Sequence, residues 1–317
     1  MRIVSLLPAA TEIVAALGKV DDLVGVSHEC NFPDAVNSKP RVTGCEIFGT
    51  DVASREIDQW VSERLATGQE LFTLDEPLLR KLRPEVILTQ RLCDVCAPAY
   101  GSVLALAESL PGPPRVVNLE PSRLGDVYQN IRDVAAILEI PGAGAEVVEH
   151  LQGRVVRIER QVRLADHRPR VAVVEWLDPV FCSGHWTPEL VEIAGGIEVL
   201  GRKGNDSVRM TWDDVARSEP EILFIACCGQ STERALRDWA VVSLQPQVRS
   251  LSAVRNGRVY FADGNAYFSR PGPRLIDSLE ILAHALDPGL HPLREGLPAA
   301  VRPSTQELLP TPLAGFP

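Results

Sequence analysis

A chain of 317 residues has room for two domains or one large one. Its 45% hydrophobic content and a mean hydropathy near zero are those of a folded core, not of a disordered chain. A formal charge of −10 with no clustered run of Lys and Arg argues against a nucleic-acid surface, which needs concentrated positive charge to replace counterions. No apolar run approaches the length of a membrane span, so no membrane insertion is expected. Seven cysteines are too few and of the wrong parity for a disulfide scaffold, and reduced thiols are expected. The apolar run at residues 3–7 is short and broken by Pro8, unlike an export signal. The chain as written is therefore expected in the cytoplasm, or in the periplasm or outside the cell if its true start lies upstream.

In chain order, residues 3–7 read as a buried strand and 9–17 as a helix stopped by Gly18. Residues 23–26 read as a strand, 54–66 as an amphipathic helix, 78–82 as a helix and 86–89 as a strand. A helix over 103–110 and a strand over 116–119 follow. Strands alternating with helices argue for parallel sheets. Next, Ser122 caps a helix carrying Leu124, Val127, Ile131, Val134, Ala135 and Leu138 at helical spacing. Pro141-Gly142 breaks it, and a second long helix runs to about residue 164.

The pattern then restarts. A strand over 171–176 is followed by a loop over 177–186, a helix over 188–194 and a strand over 197–200. A helix over 212–218, strands over 222–226 and 259–262, and a last helix over 273–286 complete the second half. Pro and Gly accumulate beyond residue 288, where a loosely held tail is expected. Each half contains an acidic helix start followed by Pro-Glu and a buried strand: Asp75-Glu76 then Pro84-Glu85, and Asp213-Asp214 then Pro220-Glu221. Such a repeat suits two equivalent α/β lobes, with a ligand in the cleft outside the carboxyl ends of their strands. The expected organisation is an N-terminal lobe (1–121), a helical connection with the first helix of the second lobe (122–168), a C-terminal lobe (169–287) and a Pro-rich tail (288–317).

The opening Ile3-Val4-Ser5-Leu6-Leu7-Pro8-Ala9-Ala10-Thr11-Glu12 with Gly18 resembles the start of ABC-transporter substrate-binding proteins of the helical-backbone class. Val24-Gly25-Val26-Ser27 belongs to the same likeness; Phe181-Cys182-Ser183-Gly184 with Leu190 to Gly196 resembles the opening of that family's second lobe, as do Trp212 to Pro220 and Phe268-Ser269-Arg270-Pro271-Gly272-Pro273-Arg274. The resemblance covers roughly residues 1–287. His28-Glu29-Cys30-Asn31-Phe32-Pro33 and the segment from Thr89 to Ala97 resemble the cobalamin-binding branch. It implies an α/β fold of two Rossmann-like lobes with parallel sheets, joined by a long rigid helix at about residues 122–138. It also implies non-catalytic binding of cobalamin or a related corrinoid, in an ABC importer or as a cytoplasmic carrier, by a monomer. A carboxylate on each lobe that docks on a permease has its nearest matches in Glu76 and Asp213.

A corrinoid is large, flat and partly apolar, so aromatic walls and amide-binding polar groups are required. The candidate ligand contacts are His28, Glu29, Cys30, Phe32, Phe48 and Gln90 from the first half. Trp176, Phe181, His185, Trp186, Asn265, Tyr267, Phe268 and Arg270 are those from the second, with Gln230 as a further amide. His28 and His185 are expected in equivalent loops, either able to ligate cobalt or to hydrogen-bond an amide. Cys93-Asp94-Val95-Cys96 has the spacing of a thiolate metal pair or a redox motif. Two alternatives stand beside the corrinoid binder. One is a haem or ferric-siderophore binder on the same fold, drawing on Arg41, Arg91, Arg270 and Arg274. The other is a metal-thiolate or redox enzyme using Cys93, Cys96, His28 and Cys30.

Overall fold

The apolar runs that flank Pro8 and Pro84 form the centre of the first sheet. The computed structural model describes residues 1–47, 52–91 and 97–308. The chain divides into two compact units: Met1–Val52, Glu56–Pro121 and Gly125–Leu151 form one, and Ala53–Arg55, Ser122–Leu124 and Gln152–Pro317 the other.

In the first unit β1 (Ile3–Ser5) leads into α1 (Pro8–Ala16), with Pro8 in the first turn, where its missing N–H costs nothing. Then come β2 (Leu23–Val26), β3 (Thr43–Gly44), α2 (Ser54–Ala66), β4 (Thr73–Leu74), α3 (Glu76–Leu82), β5 (Val86–Thr89), α4 (Tyr100–Ser109) and β6 (Arg115–Asn118). Four strands pair in parallel in the order β2-β1-β5-β6, as the alternation of strand and helix predicts. Val4, Ile87, Leu79, Val103 and Ala107 are buried together between sheet and helices. Burying each of the larger ones contributes about 1.5–3 kcal/mol. Gly25 permits a close contact: a Cβ there would lie 2.8 Å from Val42 and 2.9 Å from Leu82. The antiparallel β3–β4 pair has no sequence signal, because two-residue strands show no alternation.

Two helices follow, α5 (Leu124–Ile137) and α6 (Pro141–Val162). The resemblance implies a rigid link near 122–138; Ser122–Leu124 group with the second unit, and the chain enters that unit again after Leu151, within the 22-residue α6. Its buried face, Val148, Leu151, Val155 and Ile158, keeps one helical spacing throughout, so the sequence gives no mark of the division.

The second unit contains β7 (Arg170–Leu177), β8 (Val180–Cys182), α7 (Thr187–Ile193), β9 (Ile197–Glu198), α8 (Trp212–Arg217) and β10 (Ile222–Ile225). Then follow α9 (Thr232–Val242), α10 (Pro246–Ser250), α11 (Ser252–Arg255), β11 (Val259–Phe261), α12 (Leu275–Leu286) and α13 (Thr305–Leu308). The strands β9, β10 and β11 run parallel to β7 or to its neighbour. The exception is β8, which pairs antiparallel with the carboxyl half of β7 and lies inside the expected loop 177–186. The register shifts between Val174 and Trp176, a bulge that turns the alternation by one residue. Ala172 and Val174 therefore share their core cluster with Leu177 and not with Trp176. Trp239 anchors that cluster, edge-on to both Trp212 and Phe261.

The tail is not loose up to residue 308. Val301 and Phe261 exchange backbone hydrogen bonds of 2.7 and 2.8 Å along the edge of β11, and Leu308 is fully buried in the core cluster. A Pro-rich segment can still lie along a sheet edge, where no ladder hydrogen bond is required of each N–H.

Candidate ligand-binding loops

Parallel strands end at one edge of their sheet, so in each unit the loops that follow them share that edge. In the first unit the loop after β2 carries His28, Glu29 and Cys30. Arg41 ties it down by donating to the carbonyls of Ser27 (3.1 Å) and Cys30 (2.6 Å). Thr43 on β3 orients the histidine: its Oγ1 accepts the His28 backbone N–H at 3.0 Å and contacts Nδ1 at 2.6 Å. Burial, helped by the Arg41 charge, pulls the His28 pKa down to about 4, so the imidazole is neutral at physiological pH. Cys30 is buried, with Sγ 3.1 Å from Thr11 Oγ1. Phe32 is exposed and Glu29 half-buried. At the end of β5 Gln90 is buried, while the neighbouring Arg91 pairs with Glu120 at 3.1 Å. Phe48, Cys93 and Cys96 lie outside the described residues. Among the described residues no group of three His, Cys, Asp or Glu is placed to hold a metal.

In the second unit the loops after β10 and β11 form one assembly. Gln230 accepts the Asn265 N–H on its backbone carbonyl (3.1 Å) and donates through Nε2 to Ser54 Oγ (3.1 Å). Asn265 Oδ1 accepts from the buried Arg270 guanidinium at 3.1 Å. Tyr267 is half-buried with the Arg274 guanidinium 5.4 Å from its ring centre. Trp176 is half-buried, its indole N–H shared between the carbonyls of Ser54 and Asp178, and Phe181 lies beneath Arg209.

Three aromatic and histidine expectations need correction. Trp186 is buried and donates its indole N–H to the Phe268 carbonyl at 2.9 Å. Phe268 is buried against Phe224, with ring centres 5.2 Å apart. Both are structural side chains of the lobe and offer almost no face to a ligand. His185 does not occupy a loop equivalent to that of His28. It follows the antiparallel β8, and Ser183 N–H already bonds Val173 O, so the chain has turned back towards the amino half of β7. There His185 adopts a left-handed φ of 51° and faces Asp206 at 3.2 Å.

Sequence reasoning missed Thr43, which sets the His28 ring, and two half-buried acids, Glu175 and Glu198. The available signal for Glu175 was a carboxylate inside the apolar strand Val171-Ala172-Val173-Val174-Glu175-Trp176-Leu177. It sits at the bulge and accepts hydrogen bonds from the Ser207 side chain and the Gly184 backbone. Glu198 accepts from the N–H groups of Leu200 (2.9 Å) and Gly201 (3.1 Å). Burial outweighs these bonds and pushes both carboxyls up to about 7. Of the two docking candidates, Glu76 is exposed and paired with Arg80 at 2.6 Å. Asp213 is exposed and lines a recess of about 250 Å³ with Arg55, Asp178, Thr211 and Gln245.

The family model for periplasmic binding proteins matches residues 79–266, more than half of the chain. The chain belongs to the periplasmic binding protein family. A relative in this family, the vitamin B12-binding protein of Vibrio cholerae serotype O1, is 22% identical over 282 residues, covering 88% of this chain and 86% of its own. A periplasmic haem-binding protein from Pseudomonas aeruginosa superposes with a TM-score of 0.71 at 20% identity, covering 96% of this chain and 99% of that one. The periplasmic vitamin B12-binding protein BtuF of Vibrio cholerae does so with 0.63 at 21% identity, covering 90% and 96%. The fold is thus the two-lobed α/β architecture of class III periplasmic binding proteins. No helix among the described residues is long and apolar enough to cross a membrane.

The raised carboxyls give the fold a measurable pH dependence. Their folded pKa of about 7 exceeds the ordinary 4.5, so the folded state holds more protons than the unfolded one between those values. Their contribution to stability is fully present below pH 4.5 and is lost as pH rises through 7. His28 acts oppositely, between about 4 and 6.5. Between pH 6.5 and 8 the two acids are expected to cost the wild type roughly 1–2 kcal/mol, a loss absent from Glu175→Gln/Glu198→Gln. Urea unfolding at both pH values measures this difference.

Proposed function

We propose that this chain is a non-catalytic binding protein for a corrinoid, acting as the substrate-binding component of an ABC importer. The observation that carries the reading is a likeness to vitamin B12-binding proteins that runs along nearly the whole of both chains. The chemistry of the strand-end loops supports it. Phe32, Trp176, Phe181 and Tyr267 keep partly open aromatic faces suited to a flat macrocycle. The half-buried amide of Asn265 matches the amide side chains of a corrinoid, and His28 supplies a neutral imidazole. Glu76 and Asp213 are the carboxylates offered to arginines of a permease.

Calorimetric and optical titration with cyanocobalamin tests the proposal. Binding of one equivalent at micromolar Kd or tighter, with no turnover, is expected. Tyr267→Ala and Trp176→Ala are each expected to weaken it about tenfold or more, since truncating an aromatic anchor costs more than 1 kcal/mol. Millimolar binding of cobalamin beside tight binding of haem would overturn the corrinoid assignment in favour of the haem reading.

A further inference from the structure

The stretch over residues 199–209 in the second unit is fastened by three groups able to change charge. At its start Glu198 holds the N–H groups of Leu200 and Gly201. Near its end Ser207 donates to Glu175. At its tip the exposed Asp206 faces His185 Nε2 at 3.2 Å. Between these anchors the loop lies directly on the backbone of residues 183–185. His185 N–H bonds Asn205 O at 2.6 Å, and Gly204 N–H bonds His185 O at 2.8 Å. A Cβ on Gly184 would fall 2.4 Å from Ser207 N, and one on Gly201 would fall 2.3 Å from Ser183 O. Contact this close leaves no space for water, so the two carboxyls are dry only while the loop is seated.

The two carboxyl anchors respond to pH in the same sense. Below neutrality Glu175 and Glu198 are uncharged, which suits burial; above it each carries a charge that burial disfavours. Burial raises the Cys182 thiol beside them, and both carboxyls add to that rise. Burial also lowers the His185 pKa, against the pull of Asp206. Further charged or titratable groups here are Arg202 within the stretch, Cys227, which senses Glu175, Lys203 paired with Glu192 at 2.8 Å, Arg123 over Gly204, and Arg209 over Phe181. The ends stay pinned by sheet-like bonds: Val199 N–H to Val171 O, Cys182 N–H to Val208 O and Met210 N–H to Val180 O, all 2.8–3.0 Å. Only residues 200–207 are left to move, with Gly204 at a φ of 77° at their middle.

We propose that residues 200–207 form a proton-controlled flap, seated on Gly184 and His185 in mildly acidic solution and released from them above neutrality. Amide hydrogen exchange of the 199–209 peptide tests this on the whole chain without any ligand. After normalisation for intrinsic base catalysis, protection is expected to fall at least tenfold between pH 5 and pH 8. In Glu175→Gln/Glu198→Gln that change shrinks to about twofold. Equal normalised protection at both pH values in the wild type overturns the proposal, as does a tenfold change surviving in the double variant. Should the double variant fail to fold, a tenfold change surviving in both Glu175→Gln and Glu198→Gln overturns it.

Discussion

Gly264→Ala is expected to destabilise the protein by about 3 kcal/mol and to disturb the loops after β10 and β11 in the second unit. A Cβ at this position would lie 2.0 Å from the Cys227 carbonyl oxygen and 2.6 Å from its carbon. Both are backbone atoms, so no flexible side chain can swing aside. One loop must move away from the other. The Asn265 to Gln230 bond joins the same two loops and would stretch with them, carrying along the Asn265 contact to Arg270. Urea unfolding should show the lowered midpoint, and ligand titration should show weaker binding than stability loss alone explains. A wild-type midpoint would mean that the loops are not in backbone contact.

Arg154→Ala is expected to cost at least as much, about 3–5 kcal/mol, because it strands buried charge. Arg154 on α6 meets Asp277 at 2.6 Å and Glu280 at 2.8 Å on α12, and these side chains are only 10–13% exposed. Arg294 from the C-terminal segment reaches the same two acids at 2.7 and 3.3 Å, completing two cations against two anions. Removing Arg154 leaves two carboxylates facing one half-exposed arginine. Restoring charge balance should recover much of the loss, so Arg154→Ala/Glu280→Gln is expected to be more stable than Arg154→Ala. Unfolding free energies of the two variants and the wild type decide the matter.

Much of the fold was legible in the sequence because its signals are local. The apolar strand Ile222–Ile225 between Pro220 and Gly229, and the helix ended by Gly18, follow from periodicity and turn chemistry alone. What was not legible depends on partners far away in the chain. Three-residue β8 has no alternation to read and is defined only by pairing with β7. The bulge at Glu175 reverses which side chains face the core, and no local rule announces it. Helix α9 is a different case: Ser231 caps it, and Ala235, Trp239 and Val242 follow at helical spacing, a signal that is local to the chain. The same division holds for the candidate site. Loop residues such as His28, Tyr267 and Asn265 could be named from their position after strands. That Trp186 and Phe268 satisfy each other inside the lobe required knowing that residues 82 apart in sequence meet.

The edge-on contacts of Trp239 carry a practical consequence. Trp176, Trp186, Trp212 and Trp239 all lie in the second unit, and Trp60 alone in the first. Emission intensity during denaturation therefore follows chiefly the melting of one half of the molecule. Circular dichroism of the peptide bonds samples both halves, and any gap between the two transition curves would expose a species in which only one half has come apart.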